Sequence, residues 1–354
     1  MLHSIIIIIS REDKEDLILK KVRWGILSTA TIAQEALIPA FQRSVNAEVK
    51  AIASSSGLNK AETVAAQFQI DKAYGSYEEL LADPNIDAVY IPLPNHLHKE
   101  WVIQAAQHKK HILCEKPAAL HADEFEEMRS AVIENDVLFL EAFMYYFHPQ
   151  HDRVKQIIDQ GEIGEVSYMQ AGFTFYLPEE ERSTNIRTDR KKGGGSLYDI
   201  GCYTVHSIRN IIRKEPETVH VQAVIDEESK VDTDTVGYIT FPNGVRASFD
   251  TSFNLEMRQE YRIFGTKGKI QVPRAFRPDL HGGEGIIIIE NETGMRIETI
   301  YGDQYRLQVE HISQAILEGK KELKLDMANT YENMKVIDAC YESIASAKQV
   351  KIKR

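Results

Sequence analysis

Cysteine is scarce in this chain: Cys114, Cys202 and Cys340 are the only three in 354 residues, and they lie far apart. An odd, scattered set argues against a disulfide framework or a zinc site and suits a reducing, cytoplasmic compartment. Long hydrophobic runs are missing as well. The most apolar stretch, SIIIIIS near the start, holds five isoleucines, far fewer than the ~20 apolar residues a membrane span needs. No Lys or Arg precedes it and no small-residue cleavage pattern follows, so neither a membrane partner nor a signal peptide is expected. Positive charge is in deficit, with 42 Lys+Arg against 53 Asp+Glu and a net charge of −11. That disfavours nucleic acid as a partner, since its binders show a basic surface. Repeats and low-complexity linkers are absent too, which points to two parts packed tightly about a cleft.

The composition, 43% hydrophobic and 27% charged, is that of a globular protein long enough for two domains. Residues 1–20 read as an extension outside the core, either an added edge strand or a segment preceding a true start near Val22. From residue 22 to about 143, strand-like and helix-like segments alternate: VRWGIL, VKAIAS, DAVYIPLP, HILCE and VLFLEAF are short apolar runs with helical periodicity between them. This pattern predicts a doubly wound parallel sheet, an α/β Rossmann domain over 21–145. Pro39 is expected to kink or end the first helix. Asn59 with Glu62, and Ser76 with Glu79, have capping-box spacing. Beyond residue 150, strands follow strands: EVSYMQAGFTFYL, TVGYITF, VRASFDTSF, YRIFGTKGKIQV and GIIIIE, with a hairpin turn at Pro242-Asn243-Gly244. Helices are expected at 152–160, 196–212, 304–318 and 329–347. The second domain, 146–354, is therefore α+β with a mostly antiparallel open sheet, and its last helix is expected to be able to pack back on the first domain.

One further absence is the most informative. After the first strand the chain reads GILSTATIA, and the three places where a dinucleotide loop carries glycine hold Ser28, Ala30 and Ala33. Small residues relax that pattern without blocking it, because the backbone N–H groups at the helix start still face a phosphate. An ordinary strand–helix turn is the competing reading. At the end of the second strand, where an NAD site presents Asp or Glu to the ribose, the chain has Ser54, Ser55 and Ser56, then Lys60. Hydroxyls and a lysine suit a 2′-phosphate and so favour NADP over NAD. PLPNHLHKEW and LCEKPAAL lie where strands end, and a lysine such as Lys116 needs a partner if buried there. His96 and His98 are better read as polar groups at a helix start than as a metal pair. In GGGSLYDIGCYTVHSIRNII, at about 100° per residue, Asp199, Tyr203, His206 and Asn210 share a stripe roughly 60° wide. That face has no Lys or Glu, unlike an ordinary solvent face.

Together these stretches resemble the Gfo/Idh/MocA oxidoreductases, over about residues 22–354. The family's Glu-Lys-Pro signature is matched by Glu115-Lys116-Pro117, and its Gly-Gly run with Asp-x-x-x-His/Tyr by Gly193–Gly195, Asp199 and Tyr203. Tyr at that place resembles the branch of glucose–fructose oxidoreductase, NADP-dependent D-xylose dehydrogenase and dimeric dihydrodiol dehydrogenase. EAFMYYFHPQ, FGTKGKI and DQYRLQVEH look like that branch too. The chain departs from it at Ser55 and at Tyr146, where relatives often carry Arg. The resemblance implies hydride transfer between NADP or NAD and a hydroxyl-bearing carbon of a sugar, polyol or dihydrodiol-like substrate. The expected cofactor residues are Ser28, Thr29, Ala30, Ile32, Ser54, Ser55, Lys60, Pro92, Pro94, Asn95, His98, Glu115 and Lys116. Tyr203 is the expected proton-transfer group, its phenol lowered by the Lys116 ammonium, with Asp199 holding Lys116 or a substrate hydroxyl. Asn185 and Arg187 are expected to touch substrate. No metal is expected, and a homodimer or homotetramer is. The alternatives are a redox-silent dinucleotide-binding sensor, and glycoside cleavage assisted by transient oxidation.

Overall fold

The computed structural model describes residues 20–242 and 244–353. The expected N-terminal extension thus lies outside the described residues except for Lys20, as does Asn243 in the expected turn. Strands β1 (Val22–Leu27), β2 (Ala47–Ala53), β3 (Lys72–Tyr74), β4 (Ala88–Ile91), β5 (His111–Cys114) and β6 (Phe139–Glu141) form one sheet. Every neighbouring pair is parallel and the order is β3-β2-β1-β4-β5-β6. Helices α1 (Ile38–Arg43), α2 (Leu58–Phe68), α3 (Tyr77–Ala82), α4 (His98–Gln107) and α5 (Ala122–Glu134) lie between successive strands. All four residues of β4 are buried; helices on both faces remove the alternation a half-exposed strand would show. The strand order reverses between β1 and β4, so the loops after those two strands open onto one crevice at the carboxyl edge.

Two local expectations change. The chain stays helical from 31 to 43 instead of breaking at Pro39. Ala33–Leu37 forms a π-turn that passes into α1, with the Ile38 N–H reaching back to the Ala33 carbonyl. The wider turn accommodates the proline ring, which an α-turn would exclude. Helix α2 begins before Asn59, with Gly57 at its N-cap and no side-chain cap. Ser76 does cap α3, accepting the Glu79 N–H at 3.2 Å.

Helix α6 (Pro149–Asp159) leads into the second sheet. Its strands are β7 (Val166–Tyr176), β8 (Thr218–Ile225), β9 (Asp232–Thr240), β10 (Arg246–Ser252), β11 (Asn254–Gly265), β12 (Gly268–Val272), β13 (Glu284–Asn291), β14 (Gly294–Tyr301) and β15 (Val350–Lys351). Their order is β14-β13-β12-β11-β7-β10-β9-β8-β15, antiparallel throughout except between β7 and β10. Helix α7 (Cys202–Ile212), entered through a π-turn at Leu197–Gly201, packs on β7 and β10. The opposite face is open, with Val236 and Tyr238 of β9 and Ile297 and Tyr301 of β14 exposed.

The chain then returns to the first sheet. Helix α8 (Gln304–Glu318) packs beside β1 and α1, where the Trp24 indole N–H donates to Ser313 Oγ at 3.1 Å. Helix α9 (Met327–Ser346) touches both units: Asp338 accepts the Ala122 N–H at 2.8 Å, and Ser343 Oγ accepts the Val221 N–H at 2.9 Å. Among the described residues, no helix is long and apolar enough to cross a membrane.

Candidate active site

The crevice has the form of a dinucleotide site without its glycines. Ser28 ends β1 at φ +152°, a conformation that favours glycine. Its own Oγ supports the bend by accepting the Ala30 N–H at 3.1 Å. The Thr29 carbonyl accepts Gln34 Nε2 at 2.8 Å, which fixes the loop on the helix it opens. The first N–H groups of that helix, at Thr31 and Ile32, have no intrahelical acceptor and form an anion-facing end. At the end of β2, Ser54 is buried, Ser55 is exposed with its Oγ 3.2 Å from the Tyr77 hydroxyl, and Lys60 is exposed. Residues 53–60, which form the turn after β2 and the start of α2, include no Asp or Glu. These residues fit a dinucleotide cofactor, and a 2′-phosphate meets no negative charge from them.

At the ends of β4 and β5 the two loops brace one another. His98 is fully buried, with Nδ1 2.9 Å from the Pro117 carbonyl and Nε2 2.8 Å from the Leu93 carbonyl. Burial pulls its pKa down to about 4. His98 therefore acts as a strut between the loops and reaches the crevice only through the backbone. Pro92 is buried beside it, while Pro94 and Asn95 are partly open. Glu115 accepts the Tyr90 hydroxyl at 2.6 Å and the Lys116 N–H at 3.3 Å, and burial raises its pKa. Among the described residues no group of three or more His, Cys, Asp or Glu could hold a metal ion.

The second domain closes over this edge at Gly193–Gly195. The Gly193 carbonyl accepts Asn95 Nδ2 at 2.8 Å. Gly193 has φ +80°, and a Cβ there would lie 2.4 Å from Leu120 Cδ2 and 2.9 Å from Asn95 Cβ. The positive φ and the closeness of these two side chains both favour glycine. The π-turn that follows is anchored by Asp232, whose carboxylate accepts the Leu197 N–H at 2.7 Å and the Ser196 hydroxyl at 2.9 Å. Asp232 comes from β9, and nothing in VDTDT signals this duty.

The turn delivers Asp199 to Lys116. The Lys116 ammonium donates to the Asp199 carbonyl at 2.7 Å and to Oδ1 at 3.1 Å. Arg187 Nε donates to the other carboxylate oxygen at 2.7 Å. Burial opposes ionisation of Asp199, but the Arg187 and Lys116 cations outweigh it and hold the carboxyl well below its usual range. Burial likewise opposes a charged Lys116, and Asp199 outweighs it, so the lysine pKa is raised. Asn185 is engaged locally, its Oδ1 accepting the Arg187 N–H at 3.1 Å.

Tyr203 meets this cluster in an unexpected way. The Lys116 nitrogen sits over the phenol ring, 5.0 Å from its centroid. The hydroxyl donates to Met144 Sδ at 3.4 Å, a weak acceptor. Rings of Phe143, Phe173, Tyr145 and Phe276 surround it at centroid distances of 5.3, 5.5, 5.7 and 5.7 Å. Burial in that aromatic cage raises the phenol pKa well above 10. The expectation that Lys116 lowers it is thus reversed: the ammonium is directed at Asp199, and desolvation dominates. The expected polar stripe also divides. Asp199 and Tyr203 adjoin Lys116, whereas His206 is fully buried behind them with Nδ1 2.6 Å from the Tyr145 hydroxyl. The π-turn breaks the even helical spacing on which the stripe was drawn. Met144 and Phe276 lie in segments with no chemical signature of their own; EAFMYYFHPQ points to the first only as part of a resemblance.

Comparison with known proteins accounts for both halves. Residues 22–143 match the oxidoreductase family with an NAD-binding Rossmann fold, and residues 151–271 match the GFO/IDH/MocA C-terminal domain. An oxidoreductase of Rhizobium meliloti is 39% identical over 91% of this chain and 96% of its own length. The D-xylose 1-dehydrogenase (NADP(+)) 2 of Haloferax volcanii is 35% identical over 93% of this chain and 99% of its own. A crystallised 3-ketoreductase from Actinomadura kijaniata, in complex with NADP and TDP-benzene, is similar with a TM-score of 0.86 and 27% identity, covering 92% of this chain and 98% of that one. With a nucleotide crevice on one sheet, a lysine from that sheet's edge meeting an acid and a phenol carried by the other half, and both halves matched in order, the chain belongs to the GFO/IDH/MocA family of NAD(P)-dependent oxidoreductases.

Proposed function

We propose that the protein moves a hydride between NADP and the hydroxyl-bearing carbon of a small sugar or polyol, with Tyr203, Lys116 and Asp199 as its catalytic residues. The observation that carries this reading is the convergence of Lys116 from the first domain with Asp199 and Tyr203 from the second at the crevice mouth. Bound nicotinamide supplies or accepts the hydride. The protein's part is the proton and the placement. Tyr203, held protonated by its aromatic cage, donates to the oxygen of a carbonyl under reduction, and in reverse its phenolate takes the alcohol proton. Lys116, kept charged by Asp199, stabilises negative charge as it develops on phenol and substrate oxygen. Arg187 and Asn185 flank the open side, and Arg187 is free to exchange part of its Asp199 contact for a substrate hydroxyl. The names of the relatives, a D-xylose dehydrogenase and a sugar-nucleotide ketoreductase among them, support a polyhydroxylated substrate.

NADP is preferred over NAD because Ser54, Ser55 and Lys60 offer hydroxyls and a cation where a carboxylate would repel the extra phosphate. The exposed apolar residues of β9 and β14 favour a homo-oligomer formed through the open sheet face. Three buried free cysteines favour the cytoplasm. Titrating NADP and NAD separately, then following nicotinamide absorbance across a panel of sugars and polyols, tests the reading. Binding of neither nucleotide, or no turnover of any polyol or sugar, would defeat it. Light scattering that reports a monomer would remove the oligomer.

A further inference from the structure

A second cavity lies on the far side of α7, away from the crevice. It has a volume of about 360 Å³ and is lined by Tyr146, Lys155, Arg209, Asn210, Arg213, Lys214, Glu215 and Asn329. Four of these side chains are cations. Arg209 is buried and fully engaged: it donates to Glu215 at 2.6 and 2.8 Å and to Asn329 and Asn333 through its remaining nitrogen. Arg213 is paired with Asp159 at 2.9 Å. Lys324, just outside, is paired with Asp152 at 2.8 Å. Lys155 and Lys214 have no carboxylate within ion-pair distance among the described residues. Lys155 is half-buried and reaches only the Tyr146 hydroxyl, at 3.4 Å, while its ammonium lies 4.5 Å from the centroid of that ring.

Apart from the remaining lone pairs of Glu215, whose charge Arg209 balances, the unused hydrogen-bonding capacity of the cavity is of donors. Lys155 has protons left after its contact with Tyr146, Lys214 has three, and the Tyr146 hydroxyl, accepting from Lys155, has its own proton to give. Arg213 retains N–H groups beyond the two that hold Asp159. The amides are occupied with each other: Asn329 Nδ2 donates to Asn210 Oδ1 at 3.0 Å, and Asn210 Nδ2 to the His206 carbonyl at 2.8 Å. A space rich in donors, carrying two uncompensated ammonium groups, calls for a multiply charged ligand made of acceptor oxygens. We propose that this cavity binds a small phosphate-bearing anion. Lysines suit phosphate as compact point charges, and the arginine forks, which suit planar carboxylates, already hold the protein's own. Burial and the nearby Lys324 and Arg213 charges pull the Lys155 pKa down to about 8, despite Asp152, a cost that a bound anion would reverse. The ligand would join α6, which carries Lys155, to α7, which carries Tyr203, and to α9, which carries Asn329.

The test is calorimetric titration of the full chain with inorganic phosphate at constant ionic strength in chloride, repeated with saturating NADP. One saturable phosphate per chain, present with and without NADP, is expected. Lys155→Met should weaken it roughly 10- to 100-fold and Lys214→Ser by about threefold. Lys60→Ala, at the nucleotide crevice, should leave it unchanged. Lys214 is exposed, so its variant keeps the test informative if Lys155→Met does not fold. A parallel titration with glucose 6-phosphate, against glucose alone, separates a free ion from a phosphate ester as occupant. No saturable binding, binding abolished by NADP and by Lys60→Ala, equal affinity in the parent and both cavity variants, or tighter binding of malonate than of phosphate would each overturn the proposal.

Discussion

Replacing Asp199 with Asn separates charge from geometry at the centre of the site. The variant keeps the backbone carbonyl that receives Lys116 at 2.7 Å, and an amide oxygen replaces the carboxylate oxygen at 3.1 Å. What disappears is the negative charge. Two unit charges 3.1 Å apart interact by about 5 kcal/mol at an effective dielectric of about 20. The side chains are 13% and 16% exposed, and local relaxation reduces the usable part to about 2–3 kcal/mol, roughly two pH units. The sign follows from the balance on Lys116. Asp199 raises its pKa against burial, so without the carboxylate burial prevails and the pKa falls. The alkaline limb of the kcat/KM profile should therefore move toward lower pH by roughly two units in Asp199→Asn. NADP affinity should stay within about threefold, because the nucleotide loop is untouched. The assay is kcat/KM against pH from mildly acidic to strongly alkaline, with cofactor affinity measured by fluorescence. An alkaline limb that stays in place, or moves upward, would refute the reasoning that Asp199 sets the charge on Lys116. The same substitution alters acid stability: a carboxyl held low in the folded state contributes stability above its unfolded pKa and loses it as pH falls through the lower folded value. Asp199→Asn should thus show less loss of stability on acidification, measured by denaturant unfolding.

Tyr203→Phe removes a hydroxyl whose only hydrogen bond among the described residues is to a thioether, so the melting temperature should hardly move while kcat falls about 10²- to 10⁴-fold; turnover within tenfold of the parent would exclude the phenol as proton donor. Ser55→Asp places a carboxylate at the exposed corner after β2 and should weaken NADP at least about tenfold relative to NAD, read by paired titrations. Gly193→Ala meets Leu120 and Asn95 at a positive φ, and should cost about 1–3 kcal/mol in chemical denaturation and raise KM by loosening the seam between the sheets.

Five of the six parallel strands were legible because they are short, apolar runs, a pattern that burial on both faces imposes; β3, only three residues long and partly exposed, was not anticipated. The second sheet was harder. Strands β8, β14 and β15 were not anticipated; β14 faces solvent along most of its length and so has no apolar run to announce it. Lys116, Asp199 and Tyr203 stood out because polar groups beside glycines and strand ends are poor packing choices. Their electrostatics did not, since these depend on rings contributed by Phe143, Phe173 and Phe276, far apart in the chain. Asp232 and the π-turns were likewise invisible: one is a long-range contact, and the others trade one hydrogen-bond spacing for another without a compositional mark.

The return of α8 to the first sheet has a consequence for how the molecule is made. Trp24 and Asn46 are made well before their partners: the Trp24 indole partner, Ser313, and the Asn46 partner carbonyl at Glu310 emerge some 260–290 positions later. The nascent Rossmann unit must wait with that flank bare until α8 has been synthesised. A premature stop before residue 303 should leave an early product that engages holdase chaperones and is cleared by proteases, even though every strand of its parallel sheet has already been synthesised.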